Sequence, residues 1–211
     1  MAPKYVLNYF DVWGTAEPIR LILHYAKVEF TDNRVKKEDW PAMKPKTPFG
    51  QLPTLEVDGK VINQSCTICR YLGREFGLAG SDNWEAAEID AVVDNANDLR
   101  QQFRKVFEMK DPEEKKKMKE TLLTETVPFA VSRLEKRLKN NNGYIVNGKL
   151  SWGDIYLVHL MDLMEDIISE DLKKTAVHAL ALRKKVHELP GIKEWIAKRA
   201  PNSFSAAKLL E

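Results

Sequence analysis

Residues with the capacity for chemistry are concentrated next to turns in the first part of the chain. Tyr9 ends a β-favouring run, residues 5–10, just before a predicted helix start. Pro53 opens a later strand and has no N–H for a sheet, which suits a sheet edge or a bound partner. Gln64 and Ser65 precede a predicted helix, whose N-terminal amides favour an anion. Structural alternatives stay open, because periodicity alone favours a buried, hydrogen-bonded Tyr9, and Ser65 can serve as an N-cap.

Cys66 and Cys69 form a C-x-x-C pattern, which in a small β-α-β protein can indicate a thiol redox site. Such a pair belongs at the N-terminus of the first helix, where the helix dipole lowers the thiol pKa. That turn, residues 11–14, contains no cysteine. A zinc site needs four ligands, and no second pair or suitable histidine lies nearby in the sequence. We therefore interpret both cysteines as structural residues on an apolar helix face and predict no metal site.

The histidines do not form a catalytic pattern. No serine, cysteine or carboxylate accompanies His24, His159, His178 or His187 at a catalytic spacing, so we interpret all four as structural or exposed. The sequence also has no G-x-G-x-x-G pattern and no phosphate loop.

The elements that must position these residues fall into two groups. Strands are predicted at 5–10 and 30–35, a helix from about residue 16, a hairpin around Asp58-Gly59 and a helix over 65–76. This β-α-β-β-β-α order predicts an α/β domain over residues 1–78. A linker, 79–84, and an all-helical domain, 85–211, follow it. The helices expected in that domain span 85–109, 113–139, 152–168, 175–188 and 191–199.

Composition excludes several classes of function. The 211 residues are 44% hydrophobic and 30% charged, as in a globular protein, and a net charge of +2 gives no strong field for nucleic acid or acidic membranes. We find no apolar run of membrane-spanning length and no signal-peptide core at the N-terminus. Two cysteines give no disulfide framework. The sequence therefore predicts a cytoplasmic protein without a nucleic-acid or membrane partner.

Taken together, the motifs resemble those of the cytosolic glutathione transferases over essentially the whole chain. The matching segments are Lys4-Tyr5, Asn8-Tyr9-Phe10, Ala16-Glu17-Pro18-Ile19-Arg20, Asp39-Trp40-Pro41-Ala42-Met43-Lys44, Gly50-Gln51-Leu52-Pro53, Leu55-Glu56-Val57-Asp58-Gly59, Gln64-Ser65 and Gly148-x-x-Ser151-x-x-Asp154. Their details are similar to the sigma class, which includes glutathione-dependent prostaglandin D synthase. The resemblance implies a thioredoxin-like N-terminal domain, an all-helical C-terminal domain, a homodimer and glutathione as co-substrate.

The resemblance also implies how glutathione, with two carboxylates, an ammonium and a thiol, is bound. The backbone of Leu52, before a presumed cis Pro53, pairs with the cysteinyl unit like an added strand. Gln64 and Ser65 hold the γ-glutamyl carboxylate at a helix N-terminus. Asp98 reaches the γ-glutamyl ammonium from the partner subunit of the dimer.

By the same resemblance, the remaining glutathione contacts lie around the thiol and the glycyl carboxylate. Trp40 and Lys44 hold that carboxylate, and Gln51 lines the same groove. Tyr9 is the catalytic residue, since its hydroxyl would donate a hydrogen bond to the thiolate and so lower the thiol pKa.

The hydrophobic electrophile site implied by the resemblance draws on two parts of the chain. In prostaglandin D synthase an arginine stands at the position of Thr15 and a tryptophan near that of Lys105, and both are missing here. This difference puts prostaglandin activity in doubt but not the family fold. The matching positions are Phe10, Val12, Trp13, Gly14, Thr15, Arg100, Phe103 and Tyr156.

The leading hypothesis is a glutathione S-transferase that conjugates glutathione to electrophiles such as lipid-peroxidation aldehydes. Glutathione-dependent prostaglandin D isomerase is the second hypothesis, and a non-catalytic ligand carrier or crystallin-like protein is the third. Tyr9 favours an enzyme, and the helical part lacks the long insertion of the crystallin type.

Two further features are predicted to serve the fold and the dimer. Ser151 and Asp154 fit an N-capping box, so Asp154 is a structural residue rather than a catalytic acid. Phe49 lies in a surface turn, where it could fold back on its own domain. The resemblance implies instead an aromatic key that inserts between helices of the partner's helical domain, and this is the expectation we adopt.

Overall fold

The computed structural model of the chain describes residues 3–202. Contacts divide this part of the chain into two compact units. The sheet unit contains residues 3–78 together with 188–202, and the helical unit contains residues 79–187. The domain bounds expected from the sequence stay a prediction, and their outermost residues, 1–2 and 203–211, lie outside the described residues.

The sheet unit contains the predicted strands and helices in the predicted order, with one short additional helix between the second and third strands. Its elements are β1 (Tyr5–Phe10), α1 (Glu17–Tyr25), β2 (Phe30–Val35), α2 (Trp40–Met43), β3 (Thr54–Val57), β4 (Lys60–Asn63) and α3 (Ser65–Glu75). The strands form one mixed sheet in the order β2-β1-β3-β4. The β1–β2 pair is parallel, and the β1–β3 and β3–β4 pairs are antiparallel. A parallel pair needs a crossover connection, and α1 provides it.

The core of the sheet unit explains why these segments fold as they do. Leu7 of β1 lies opposite Leu55 of β3, and both are fully buried. α1 is buried over most of its length, as expected from apolar residues on most of its sides. The β3–β4 turn has positive φ at both Asp58 and Gly59, as a type I′ turn requires, so the predicted hairpin is confirmed.

The helical unit is built around a central, almost completely buried helix. Its helices are α4 (Asn83–Glu108), α5 (Pro112–Thr121), α6 (Val127–Asn140), α7 (Trp152–Leu163), α8 (Glu170–Thr175) and α9 (Val177–His187). In α7 every residue from Trp152 to Leu160 is buried. The last helix, α10 (Ile192–Lys198), belongs to the sheet unit, where it packs against α1.

Two predicted helices differ from those observed. The helix expected over 113–139 is present as a continuous helical run over residues 112–140, but a π-helical turn, Leu122–Thr126, interrupts its α-helical hydrogen bonding and divides it into α5 and α6. Pro128 has no N–H to donate to the Thr124 carbonyl, which favours such a widened turn. The helix expected to reach residue 168 ends at Leu163. The overall prediction of a thioredoxin-like α/β part and a helical part is confirmed.

Candidate active site

Tyr9 lies near the end of β1, and its hydroxyl meets the loop that leads into α1. The backbone N–H and the side-chain hydroxyl of Thr15 both donate to the Tyr9 hydroxyl oxygen, each over 3.2 Å. A hydroxyl has two acceptor lone pairs and one proton. With Thr15 as the donor in both bonds, the Tyr9 oxygen uses its lone pairs as acceptors. The Tyr9 hydroxyl proton can then be donated to another group.

Gly14 permits this close approach. Its φ is +47°, a left-handed conformation that glycine adopts without cost. A Cβ at this position would lie 2.4 Å from the Tyr9 hydroxyl oxygen, which is far inside van der Waals contact. Gly14 is thus required by the position of the tyrosine ring.

The loop that carries Thr15 is held from inside the unit by Arg20. The Arg20 side chain is fully buried, and its Nη1 donates to the carbonyl oxygens of Val12 at 3.0 Å and Trp13 at 3.4 Å. The same nitrogen pairs with Glu17 at 3.1 Å, and Nε pairs with Asp32 at 3.0 Å. Since both carboxylates compensate the buried guanidinium, Arg20 can fix the loop without an unpaired charge.

Aromatic contacts connect Tyr9 with other predicted site residues. The rings of Tyr9 and Phe10 lie 5.8 Å apart, and Phe10 packs edge-on against Trp40 at 5.6 Å. Trp40 is the first residue of α2. The structure therefore brings a residue predicted to bind the glycyl carboxylate next to one predicted to bind the electrophile.

The residues predicted to bind the rest of glutathione lie along the adjoining edge of the sheet unit. The Leu52–Pro53 peptide bond is cis, just before β3. The Gln64 amide donates to the Gln51 amide oxygen at 3.2 Å, which links two of the predicted contacts. The Lys44 side chain runs past Gly50, since a Cβ there would lie 3.4 Å from Lys44 Cε.

The start of α3 differs from the sequence-based expectation. The N-cap is Gln64, with φ +69°, and its side chain makes no capping hydrogen bond, while Ser65 is the first helical residue. The prediction of Ser65 as the N-cap is therefore wrong. A helix start without a side-chain cap keeps its N-terminal amides suited to an external carboxylate.

The helical unit carries the other predicted site residues. Asp98 is exposed on α4, and Arg100 on the same helix is half-buried. Phe103 is 4% exposed and packs in an apolar cluster with Val106, Leu122 and Val127. Tyr156 on α7 is also buried, and its hydroxyl donates to Asn97 at 2.8 Å. Their assignment to glutathione or to the electrophile stays a prediction.

Among the other groups considered in the sequence, the thiols behave as structural residues. Cys69 is fully buried, and this burial raises the pKa of its thiol well above the ordinary value. His178 pairs with Glu135 at 2.8 Å and His187 with Asp162 at 3.0 Å. Within residues 3–202, no three His, Cys, Asp or Glu side chains converge where a metal ion could bind. Over the same range, no helix has the length and apolar character needed to cross a membrane.

Sequence reasoning missed two parts of this arrangement. Thr15 was assigned to the electrophile site only, although a hydroxyl side chain six residues after Tyr9 could have indicated a local hydrogen bond. Arg199 and Ala200 also lie against Trp13, and nothing in the local sequence indicates so distant a contact.

Known proteins share this architecture and sequence. The family model described as glutathione S-transferase, N-terminal domain, matches residues 5–74, and the corresponding C-terminal domain model matches residues 97–199. Glutathione S-transferase 1 of Ascaris suum is 43% identical and aligns over 96% of this chain and 100% of its own. The hematopoietic prostaglandin D synthase of Gallus gallus is 38% identical over 93% of this chain and 97% of its own.

A solved structure of prostaglandin synthase D of Nilaparvata lugens is 49% identical, with a TM-score of 0.86. The match covers 94% of this chain and 99% of the Nilaparvata lugens chain. With both domain models matched and relatives of this identity aligned over nearly their full length, the chain belongs to the glutathione S-transferase family and is a transferase whose co-substrate is glutathione.

Proposed function

We propose that this transferase is of the sigma class and that its role is detoxification. In this proposal it conjugates glutathione to hydrophobic electrophiles, including lipid-peroxidation aldehydes. The observation that carries the proposal is the Tyr9 hydroxyl, whose acceptor side is occupied by both donors of Thr15. Its single proton would then be donated to the glutathione sulfur.

The energy of that hydrogen bond is sufficient to ionise much of the glutathione thiol near neutral pH. A free thiol has a pKa of about 8.5, so only a few per cent is ionised at neutral pH. A hydrogen bond to a charged group contributes about 1.5–3 kcal/mol, which lowers the thiol pKa by about 1–2 units. The thiolate then becomes a major species near neutrality. Its sulfur forms the new bond to the electrophilic carbon, and a leaving group departs or, with an unsaturated aldehyde, the adjacent carbon takes a proton.

Glutathione would lie along the edge that runs from α2 to the start of α3. Gln64 and Ser65 would bind the γ-glutamyl carboxylate, supported by the α3 N-terminus that no side chain caps. The backbone of Leu52, beside cis Pro53, would pair with the cysteinyl unit. This order places the thiol near the β1 end, where Tyr9 lies.

The glycyl carboxylate would bind at the other end of that edge. Trp40 and Lys44 would hold it, and Gln51 would line the groove through its hydrogen bond with Gln64. The positive Lys44 side chain provides the charge that a terminal carboxylate requires.

The residues proposed for the electrophile belong to two groups, one around the end of β1 and one in the helical unit. Phe10, Val12 and Trp13 supply apolar surface on the loop. Gly14 and Thr15 are required there for Tyr9, so we propose that their contribution to electrophile specificity is smaller. On the helical unit the proposed residues are Arg100, Phe103 and Tyr156.

We also propose a homodimer in which Phe49 of one protomer packs on the helical unit of its partner. The Phe49 side chain is 70% exposed, so it is available for contact with a partner. The helical unit has an apolar groove of about 360 Å³ along α4 and α6, lined by residues that include Ala91, Val92, Val131 and Leu134. In this dimer Asp98 would bind the γ-glutamyl ammonium of glutathione held by the partner subunit, as the resemblance implies.

We place the protein in the cytoplasm. Neither Cys66 nor Cys69 is in a disulfide, and the buried thiol of Cys69 fits a reducing compartment.

A second candidate activity is the isomerisation of a prostaglandin endoperoxide to prostaglandin D. The observation in its favour is the 49% identity to prostaglandin synthase D of Nilaparvata lugens. Thr15 and Lys105 replace an arginine and a tryptophan of the prostaglandin enzymes in the resemblance described above, which favours conjugation as the main activity.

One set of assays separates these activities. Purified protein would be tested on an aryl halide, an unsaturated aldehyde, a hydroperoxide and a prostaglandin endoperoxide, beside a Tyr9→Phe variant. We expect clear conjugation, weak isomerisation and a sharply lower kcat in Tyr9→Phe, with little change in glutathione affinity. Unchanged turnover and an unchanged pH–rate profile in Tyr9→Phe would remove Tyr9 from the mechanism. Endoperoxide conversion as efficient as the best conjugation would favour the second activity instead.

A further inference from the structure

Trp13 is held by a segment almost at the other end of the chain. Its indole Nε1 donates to the carbonyl oxygen of Ala200 at 2.9 Å, a contact that joins residues 187 positions apart. The Arg199 guanidinium lies over the indole face, 3.7 Å from the ring centroid. A cation within about 6 Å of a ring centroid is attracted by the π-electrons, and tryptophan gives the strongest such contact. The edge and one face of the indole are therefore both occupied by the segment after α10.

Arg199 is itself fixed in place. Its Nη1 pairs with Glu17 Oε1 at 3.0 Å, and its side chain is only 6% exposed. The Trp195 indole donates to the same Glu17 oxygen at 2.7 Å. Burial alone would raise the Glu17 pKa, but the charge of Arg20 and the hydrogen bonds from Trp195 and Arg199 hold it below its ordinary value. Arg199 thus faces an ionised carboxylate on one side and the indole on the other.

The backbone of the same loop is held by a different residue. Arg20 donates to the carbonyl oxygens of Val12 and Trp13 from inside the unit. The Thr15 donors reach Tyr9 through the part of the loop that follows. Arg199 and Ala200 contact the Trp13 side chain rather than these groups. Arg199 and Ala200 therefore contact the indole directly, whereas Arg20 holds the loop backbone, and the two arginines share the Glu17 carboxylate.

We propose that Arg199 is a positioning residue for the electrophile site, fixing the Trp13 indole as a rigid wall that selects electrophiles by size. The proposal rests on the placement of Trp13 in that site, as proposed above. A tryptophan free to change rotamer would adapt to substrates of different shape. A tryptophan with its Nε1–H and one face engaged presents a single surface, and the binding energy of a large planar electrophile is realised only against that surface.

The test compares Arg199→Ala with Lys198→Ala, which removes one positive charge from the exposed neighbouring position. The Michaelis constants would be measured for glutathione, for a small electrophile and for a large planar one, with pH profiles of kcat/KM. Loss of a cation–π contact corresponds to about a 2- to 30-fold weakening. We therefore expect Arg199→Ala to raise KM for the large electrophile by about 3- to 10-fold and for the small one much less. Glutathione KM and the pH profile should stay at wild-type values in both variants.

A double-mutant cycle shows whether Arg199 acts through Trp13. Trp13→Ala alone should raise KM for the large electrophile, and adding Arg199→Ala should raise it no further. Additive effects would overturn the proposal, as would wild-type selectivity in a folded Arg199→Ala protein. If Trp13→Ala itself leaves every electrophile KM unchanged, Trp13 lies outside the electrophile site and the proposal fails. An unaltered pH profile of kcat/KM in the same variant would still support the role proposed for Tyr9.

A conservative variant covers the case in which Arg199→Ala does not fold. Arg199→Lys keeps a positive charge for the buried Glu17 but loses the planar group that stacks on the indole. It should therefore keep the melting temperature close to that of the wild type and still show the selectivity change. A folded Arg199→Lys protein with wild-type selectivity would overturn the proposal.

Discussion

Thr15 donates two hydrogen bonds to the hydroxyl oxygen of Tyr9, one from its backbone N–H and one from its side chain, both over 3.2 Å. Substitution can remove the second bond and leave the first. Thr15→Val keeps the branched shape and the backbone N–H but has no hydroxyl to donate. Each donor to the tyrosine oxygen strengthens the tyrosine as a donor in turn.

We expect Thr15→Val to raise the pKa of bound glutathione by about 0.1–0.7 unit, because one donor strengthens the next hydrogen bond by about 10–30% and the bond from Tyr9 to the thiolate contributes about 1.5–3 kcal/mol. The pH dependence of kcat/KM measures this shift directly. Thr15→Ser is the matched control, because it keeps the hydroxyl and should keep the wild-type profile. An equal shift in both variants, or none in Thr15→Val, would show that the side-chain hydroxyl does not act on Tyr9.

Asp154 stabilises the helical unit. It accepts hydrogen bonds from the backbone N–H groups of Ile145 at 2.9 Å and Ser151 at 2.8 Å, and it completes the capping box of α7. Asp154→Ala leaves both buried donors without an acceptor, which should lower the free energy of unfolding by about 2–4 kcal/mol. Urea denaturation measures this loss. The kcat of the folded variant should stay near that of the wild type, and a specific loss of kcat would contradict a purely structural role.

Asp154 should also make the free energy of unfolding depend on pH. Burial raises the pKa of Asp154 to about 6 from its ordinary 3.8, against the opposing effect of its hydrogen bonds. The folded protein therefore binds the proton more tightly than the unfolded chain between these values. Relative to Asp154→Asn, the wild type should lose up to ~3 kcal/mol of stability as the pH rises from about 4 to 6. A difference that stays constant over this range would contradict the raised pKa.

The C-x-x-C pair should be dispensable for catalysis. Cys69 is fully buried with a raised thiol pKa, and both cysteines lie on α3 rather than at the start of α1. We expect Cys66→Ser combined with Cys69→Ala to keep kcat/KM within about twofold, with a modest loss of stability from the small cavity. Alanine replaces Cys69 because a serine hydroxyl would be buried there. Lost conjugation in a variant with a normal melting curve would restore the redox hypothesis.

Phe49 should determine the strength of the dimer. Truncating a buried phenylalanine costs about 3–5 kcal/mol, and a symmetric dimer contains the contact twice. Phe49→Ala should therefore weaken association at least 100-fold and also weaken glutathione binding, because Asp98 would come from the partner subunit. Analytical ultracentrifugation and glutathione titration measure the two effects.

Two further variants sharpen the dimer experiment. Ala91 is exposed and lines the groove, so Ala91→Arg should block it without disturbing the fold of α4. Trp84 is 75% exposed and does not line the groove, so Trp84→Ala should leave the dimer intact. A Phe49→Ala protein that remains dimeric below micromolar concentration would show that the interface does not depend on this ring.

Local patterns were sufficient to predict most of the sheet unit. Residues 30–35 were predicted as a strand and form β2, and the Asp58-Gly59 turn has the backbone that its residue types favour. These elements are short, and turn chemistry fixes their ends. Ser65 was predicted incorrectly as a cap because Gln64 adopts a positive φ, which its residue type does not indicate.

Long-range contacts explain what sequence reasoning missed. Trp13 was named in the sequence analysis for the electrophile site, which stays a prediction, and its contact with Ala200 spans 187 positions and has no local pattern. The buried pairing of Glu17 with Arg199 is equally distant in sequence. The π-helical turn between α5 and α6 was different, because Pro128 stood in the sequence as an indication of it.

The fit between Gly14 and Tyr9 has a consequence for how the substrate range of this enzyme can be altered. Any side chain at position 14 collides with the tyrosine hydroxyl, so a mutant library there should return glycine alone among active clones. The neighbouring Val12 side chain is 37% exposed and free of that constraint. Directed evolution toward new electrophiles therefore has room to vary one side of this loop only, since the other side is committed to holding the Tyr9 hydroxyl.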